Sequence, residues 1–241
     1  GKKARLPKGV ALSHENILAN RSQVLTRIDF TRRDKVVNTL PLTDSFGLTT
    51  GTLLPILSGI RTILYPVATH MRIIPQFCYN NNATILFGED ELLSSDAHQA
   101  HPYDFYSIRH VIAKGAQLKP ETKKIWIEKF GIRILESYGS AETASLISLN
   151  TPMSYKENTL GSLLPGIRYK LKPVQGLKKE YGRLLVSGPN IMIGYIKQTL
   201  PGMINLDYCF SKERSKSGYH WYDTGELASI DGNGFLSLIK K

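Results

Sequence analysis

The stretch Ile132-Arg133-Ile134-Leu135-Glu136-Ser137-Tyr138-Gly139-Ser140-Ala141-Glu142 decides how this chain is read. Its apolar residues run straight into a glycine, so a strand is expected to end there in a tight turn. An aromatic ring and a carboxylate then project beyond the strand end. An aromatic face suits a nucleobase, and a carboxylate suits a magnesium ion that bridges to phosphate. The same residues also fit an ordinary Tyr-Gly turn with a solvated glutamate, so the rest of the chain must decide.

Upstream of that stretch, strand and helix signals alternate. Pro120 stands at a first helical turn and Gly131 marks the end of the same helix. His110 to Ala113, Thr84 to Phe87 and Arg61 to Tyr65 read as strands, and Ile73 to Tyr79 as a helix. Leu48 to Leu57 suits a short buried helix closed by Gly59, and Thr39 to Gly47 a strand end passing into a turn. Ser13 is placed to cap a helix whose apolar positions are Ile17, Val24, Leu25 and Ile28. Alternation of this kind implies an α/β region with a mainly parallel, covered sheet over residues 1–150.

After Leu149 the texture changes. Tyr169 to Leu171, Arg183 to Val186, Leu227 to Ile230 and Phe235 to Ile239 are short alternating runs separated by glycine and proline turns. Asp231-Gly232-Asn233-Gly234 suits a hairpin connection. A small antiparallel, β-barrel-like subdomain over 151–241 is expected, with a mobile loop from Lys212 to Gly218.

The chain of 241 residues is long enough to bury a substantial core. Lys and Arg number 31 against 20 Asp and Glu, a net charge of +11. That balance favours acidic partners: nucleotide phosphates, an acidic carrier protein or an anionic membrane surface. The basic residues are scattered, with no basic block interleaved with aromatics, which argues against nucleic acid. No apolar run of about 18 residues is present, so a membrane span is not expected. The chain starts Gly-Lys-Lys-Ala-Arg, with no apolar leader, so cytoplasmic residence is expected, with surface attachment of the parent protein left open. Cys78 and Cys209 stand far apart and read as thiols in a reducing compartment. The histidines lack metal-ligand spacing and read as structural.

Six blocks together resemble the adenylate-forming ligase superfamily of acyl-CoA synthetases, luciferases and peptide-synthetase adenylation domains. They are Leu6 to Asn16, Pro41 to Gly47, Tyr138 to Glu142, Gly161 to Gly166, Gly182 to Tyr195 and Trp221 to Leu236. Within it, His14 to Arg21, His101 to Ser107 and Glu128 to Glu136 look like the ligase part of bacterial bifunctional 2-acylglycerophosphoethanolamine acyltransferase/acyl-acyl carrier protein synthetase. The resemblance implies ATP, AMP and magnesium as ligands, a fatty acid as substrate, and a carrier protein or coenzyme A as thiol acceptor. It places the chain in fatty acid and phospholipid metabolism.

The resemblance also assigns roles. Lys8 would be the phosphate-proximal cation, although Gly1 to Arg5 does not match the loop that usually precedes it. Gly115, Ala116, Ser137, Tyr138 and Gly139 would surround adenine, with Tyr138 as the stacking platform. Ser140 and Ala141 belong to the same nucleotide-binding turn, and Glu142 would hold magnesium. Glu226 would meet the ribose, and Asp44, Ser45, Phe46 and Gly47 would border the acyl and thiol tunnel. Three positions depart from the pattern: Ala141 where threonine is usual, Glu226 where aspartate is usual, and Asp44 where histidine is common. The departures leave open a catalytically weakened nucleotide- or lipid-binding module. No histidine has an aspartate five positions on, so the acyltransferase part is expected to be absent, as is a C-terminal lid. The fragment alone is expected to be inactive.

Overall fold

A computed structural model describes residues 9–65, 72–114, 118–178, 180–200, 203–208, 210, 215–216 and 218–239. Lys8, Gly115 and Ala116, each assigned a site role from sequence, lie outside the described residues, as do Cys209 and most of the loop expected over 212–218.

In chain order the first half contains β1 (Gly9–Ala11), α1 (His14–Leu25), β2 (Lys35–Asn38), a π-helical segment (Phe46–Leu53), α2 (Leu54–Leu57) and β3 (Arg61–Leu64). It continues with α3 (Ile74–Asn81), β4 (Ile85–Gly88), α4 (Asp90–Gln99), β5 (His110–Ala113), α5 (Pro120–Phe130) and β6 (Ile134–Tyr138). β7 (Ser148–Leu149) and β8 (Ser162–Leu163) follow, then β9 (Arg168–Lys172), β10 (Gly182–Ser187), β11 (Gly194–Leu200), β12 (Met203–Asp207), β13 (Tyr222–Ile230) and β14 (Leu236–Leu238).

The large sheet runs β3-β2-β4-β5-β6-β7-β8. Its first five strands are parallel, and the last two pair antiparallel beyond β6. Side chains of a strand alternate between faces, and here the alternation divides two cores. Val37, Leu86, Val111 and Ile134 face Ile74, Leu93 and Trp126. Their neighbours Val36, Ile85, Ile112 and Leu135 face Val24, Ile28, Phe46 and Leu54 on the other side. Strands buried on both faces read as unbroken apolar runs, which is why Ile85-Leu86-Phe87 stands out in the sequence.

Two antiparallel sheets complete the fold, β14-β13-β10-β9 and β1-β11-β12. They share a third core of Leu184, Val186, Met192, Tyr222 and Leu236, against which Val10 and Tyr195 pack. β1 therefore joins the small sheets although it opens the chain, and β8 joins the large sheet although it lies past residue 150. The Asp231–Gly234 connection closes β13 onto β14, with Asp231 N–H donating to the Phe235 carbonyl at 3.1 Å.

Some local expectations shift. α1 is capped by Ser13, whose hydroxyl accepts from Asn16 N–H at 3.1 Å. Its buried face mixes amide and aliphatic side chains: Asn16, Asn20, Gln23 and Val24 are buried, as is Ile28 just past the helix, whereas Ile17 and Leu25 are only half-buried. The strand expected at Ile132 begins at Ile134 and carries on through Tyr138. The helix expected over 48–57 is π-helical up to Leu53. α4 and the β11–β12 hairpin carry no assignment from sequence.

Candidate active site

β2, β4, β5 and β6 all point their carboxyl ends to one edge of the large sheet. Parallel sheets bind ligands outside that edge, where the connecting loops leave the strands. Here the loop after β6 is closely constrained.

Gly139 directly follows the strand. A Cβ there would stand 1.6 Å from the Ser145 carbonyl oxygen, so the loop folds back too closely for any side chain. The 3-10 turn Ala141–Thr143 comes next, and Ala144 and Ser145 then adopt φ of 49° and 99°. Left-handed backbone at two successive non-glycine residues costs roughly 1–3 kcal/mol each and persists only where surroundings enforce it. The surroundings do so. Asn190 Nδ2 donates to the carbonyls of Thr143 at 2.7 Å and Leu146 at 3.1 Å. Asn20 donates to the Leu146 carbonyl at 2.6 Å and accepts from its N–H at 3.3 Å. Thr50, from the π-helical segment, donates to the Ser145 hydroxyl at 2.7 Å. Asn20, Thr50 and Asn190 are all buried, so these bonds form away from competing water.

The turn presents Glu142, half-buried, whose carboxylate accepts from the Tyr195 hydroxyl at 2.8 Å. Tyr222 lies beside both: burial raises its phenol above the ordinary tyrosine range, and the nearby Glu142 charge and Tyr195 add to the shift. Tyr138 is buried at the end of β6. Burial likewise raises its phenol, followed by the charge of Glu226, and its hydroxyl is hydrogen-bonded to Thr224. Both tyrosines stay neutral, so they act here as hydrogen-bonding phenols rather than anions.

Glu226 reaches this cluster because β13 is irregular. Leu227 pairs with Arg183 and Asp223 with Leu185, so Thr224, Gly225 and Glu226 together oppose Leu184 alone. Gly225 takes φ of 77°, a left-handed conformation suited to glycine, and Thr224 donates to the Leu184 carbonyl at 2.9 Å. Bulges re-aim side chains and are frequent beside active sites. This one brings Glu226 toward Tyr138.

The sequence-assigned residues thus divide. Tyr138, Ser140, Ala141, Glu142 and Glu226 gather at one place, with Gly139 shaping the turn. Ser137 does not present its side chain there: it is fully buried, and its hydroxyl donates to the Ala113 carbonyl at 2.7 Å, tying β6 to β5. Phe46 is buried with its ring edge-on to Phe87 at 5.8 Å, and a Cβ on Gly47 would lie 2.3 Å from the Pro41 carbonyl oxygen. Both serve the packing of the π-helical segment on the sheet. Ser45 and Asp44 are half-buried at the start of that segment. Asp44 accepts from Phe46 N–H at 2.9 Å and holds Lys114 Nζ at 2.6 Å.

Tyr195, Tyr222 and Thr224 complete the cluster and received no role from sequence. Gly225 inside an otherwise regular strand pattern was a usable signal for the bulge. Asn20 and Asn190 lie within blocks that carry the resemblance but received no role there, because their partners are distant backbone carbonyls. Among the described residues no group of three or more His, Cys, Asp or Glu is arranged to hold a metal. A magnesium ion carried on nucleotide phosphates needs only one or two protein carboxylates, and the half-buried Glu142 fits that demand.

Residues 6–196 match the family described as AMP-binding enzyme, and the chain belongs to that family. It is 26% identical to the medium-chain fatty-acid–CoA ligase of Escherichia coli K12, covering 97% of this chain and 40% of that protein. It is 30% identical to the long-chain-fatty-acid–CoA ligase of Salmonella typhimurium, covering 97% of this chain and 41% of that protein. The chain therefore spans about two fifths of the length of these curated relatives. Its fold matches the O-succinylbenzoate coenzyme A synthetase of Bacillus subtilis in complex with ATP and magnesium, with TM-score 0.80 and 22% identity over 99% of this chain and 48% of that one. A long-chain-fatty-acid–CoA ligase from Archaeoglobus fulgidus matches with TM-score 0.80 and 22% identity, over 98% of this chain and 49% of that one.

Proposed function

We propose that this chain is the nucleotide- and acyl-binding core of an ATP-dependent fatty acyl-adenylate ligase. The observation that carries this reading is the convergence of Tyr138 and Glu142, from the end of β6 and the turn after it, with Glu226 from β13, at the carboxyl edge of the parallel sheet. The names of the curated relatives supply the substrate class, a fatty acid, and a coenzyme A thiol as acceptor.

In this reading adenine lies against Tyr138, Glu226 accepts from the ribose hydroxyls, and Ser140 and Ala141 border the α-phosphate. A carboxylate oxygen of the fatty acid attacks the α-phosphorus, a new P–O bond forms, and pyrophosphate leaves with the bond to the β-phosphate. A thiol then displaces AMP. Lys8, Gly115 and Ala116 complete the phosphate and adenine contacts. A bound magnesium ion would offset phosphate charge from Glu142. The chain's own part is mostly positioning, with donors and carboxylates fixed before the substrate arrives. Tyr195 holds the Glu142 carboxylate in orientation, and the enforced 139–146 loop holds the turn that carries it.

The finer assignment is the acyl-acyl carrier protein synthetase part of a bifunctional acyltransferase/synthetase, acting in the cytoplasm in fatty acid and phospholipid metabolism. The net charge of +11 supports an acidic carrier protein or anionic lipid as partner. Residues 1–150 and 151–241 would be its two subdomains. The test is fatty-acid-dependent exchange of pyrophosphate into ATP by the intact parent protein. Exchange with fatty acids of some chain length is expected, and its absence across chain lengths would reject the reading.

One observation favours a second reading. Ala141 removes a hydroxyl beside the α-phosphate, and losing a hydrogen bond to a charged group costs about 1.5–3 kcal/mol. A catalytically weakened nucleotide- or lipid-binding module would then remain. Ala141→Thr separates the two: a large gain in turnover marks a weakened ligase, and unchanged turnover with retained ligand binding marks a binding module.

A further inference from the structure

Lys114 lies just past β5, immediately before Gly115, at the edge where the tyrosine and carboxylate cluster forms. Its backbone N–H donates to the Gly88 carbonyl at 2.9 Å, so its Cα is tied to the ends of two parallel strands. Its Nζ meets the Asp44 carboxylate at 2.6 Å, with the two side chains 35% and 30% exposed.

The two partners are not held equally. The other oxygen of Asp44 accepts from the N–H groups of Phe46 at 2.9 Å and Gly47 at 3.4 Å, which fixes the carboxylate to the first turn of the π-helical segment. The ammonium of Lys114 sits on a flexible four-carbon stem and has three donors. A partly exposed ion pair contributes little, so exchanging one carboxylate partner for another is close to neutral. The lysine is the member free to move, and Asp44 is its anchorage.

We propose that Lys114 is a substrate-contacting cation. In the ligand-free chain it rests on Asp44, and it transfers to the negative charge beside the acyl carbonyl when acyl substrate binds. This rests on the acyl-adenylate reading and deepens it. Lys114 acts here through its charge alone. Its charge first meets the incoming carboxylate, and then the acyl phosphate formed when that carboxylate displaces pyrophosphate. Asp44 competes with the substrate for the same ammonium and sets the affinity of the acyl end.

The prediction is that the two halves of one ion pair act in opposite directions. The probe is an acyl-sulfamoyl adenosine, which carries the negative charge beside its acyl carbonyl, with AMP as the control lacking the acyl group. Binding of both to the 241-residue chain is measured by calorimetry. Lys114→Met is expected to weaken the acyl probe about tenfold or more and leave AMP within about twofold, by the worth of a charge-assisted contact. Asp44→Asn, which keeps the acceptor for Phe46 N–H, is expected to tighten the acyl probe several-fold. Lys114→Arg should fall between wild type and Lys114→Met, and it supplies the comparison if Lys114→Met does not fold. Both substitutions shifting the acyl probe in the same direction, or shifting AMP equally, would overturn the proposal and leave a structural ion pair. If the wild-type chain bound the acyl probe no more tightly than AMP, the acyl-adenylate reading itself would fail and take this inference with it.

Discussion

Two loops leave the same edge of the parallel sheet, and they are held in different ways. The loop after β6 is locked by buried amides and a buried hydroxyl from three distant segments, and its backbone passes through two left-handed residues. Among the described residues, the loop after β2 reaches β5 through an ion pair whose members are each about one-third exposed, beside a bond from buried Thr39 to the Phe87 carbonyl on β4. Buried neutral hydrogen bonds have no water to exchange with, whereas an exposed ion pair gives up its partner at little cost. In the proposed function, the first arrangement would suit a surface that must not move, under a nucleotide, and the second a contact that changes when an acyl chain arrives.

The largest expected effect tests the locked loop. Gly139→Ala forces a Cβ onto the Ser145 carbonyl and should destabilise the chain by about 3 kcal/mol or more, read by urea denaturation or by loss of soluble protein. A mild effect would mean that the loop yields, and the contrast with the β2 loop would weaken.

Asn190→Ala comes next. It takes the donor from the Thr143 carbonyl, while the Leu146 carbonyl keeps Asn20, and should cost about 1–3 kcal/mol, while Asp44→Asn should cost under about 1 kcal/mol in the same titration. Equal costs would erase the distinction between the loops.

A pH series sharpens the comparison by separating both loops from the core. Asp96, on α4, is buried with neither carboxylate oxygen hydrogen-bonded to protein, and burial raises its pKa well above 3.8. Glu136 on β6 is raised for the same reason, partly opposed by Lys123. A raised carboxyl pKa means the folded state keeps a proton that the unfolded state loses. Stability is then full below about pH 4 and declines as pH rises toward the folded-state value, by up to about 1.4 kcal/mol per pH unit per group. Asp96→Asn should flatten that decline.

The smallest effect falls inside the cluster. Tyr195→Phe removes the donor to Glu142 and should lower stability by about 1 kcal/mol while weakening magnesium-dependent nucleotide binding more than magnesium-free binding. Equal loss with and without magnesium would detach Glu142 from the metal.

How much of this was legible in the sequence follows from the range of the forces involved. Strands β4 and β5 and helix α5 declare themselves through local periodicity and the Pro120/Gly131 pair, and the structure places them within a residue or so. α4 was not legible because its buried positions Leu92, Leu93, Asp96 and Ala97 include a carboxylate and its sequence is polar overall. The face of α1 was legible in part: Val24 and Ile28 are buried as expected, whereas Asn20 and Gln23 are buried too because they serve carbonyls more than 100 residues away. Tyr138, Glu142 and Glu226 were found as pattern matches, yet the bulge that brings Glu226 to Tyr138 is a property of two paired strands. Lys114 carried no signal, because its meaning lies in Asp44, 70 residues earlier.

A crystal structure of the chain grown with an adenosine nucleotide and magnesium tests the central claim most directly. The adenine ring is expected against Tyr138, the ribose hydroxyls within hydrogen-bonding reach of Glu226 and the metal on Glu142. A nucleotide bound elsewhere, with those three side chains undisturbed around their own hydrogen bonds, would contradict it.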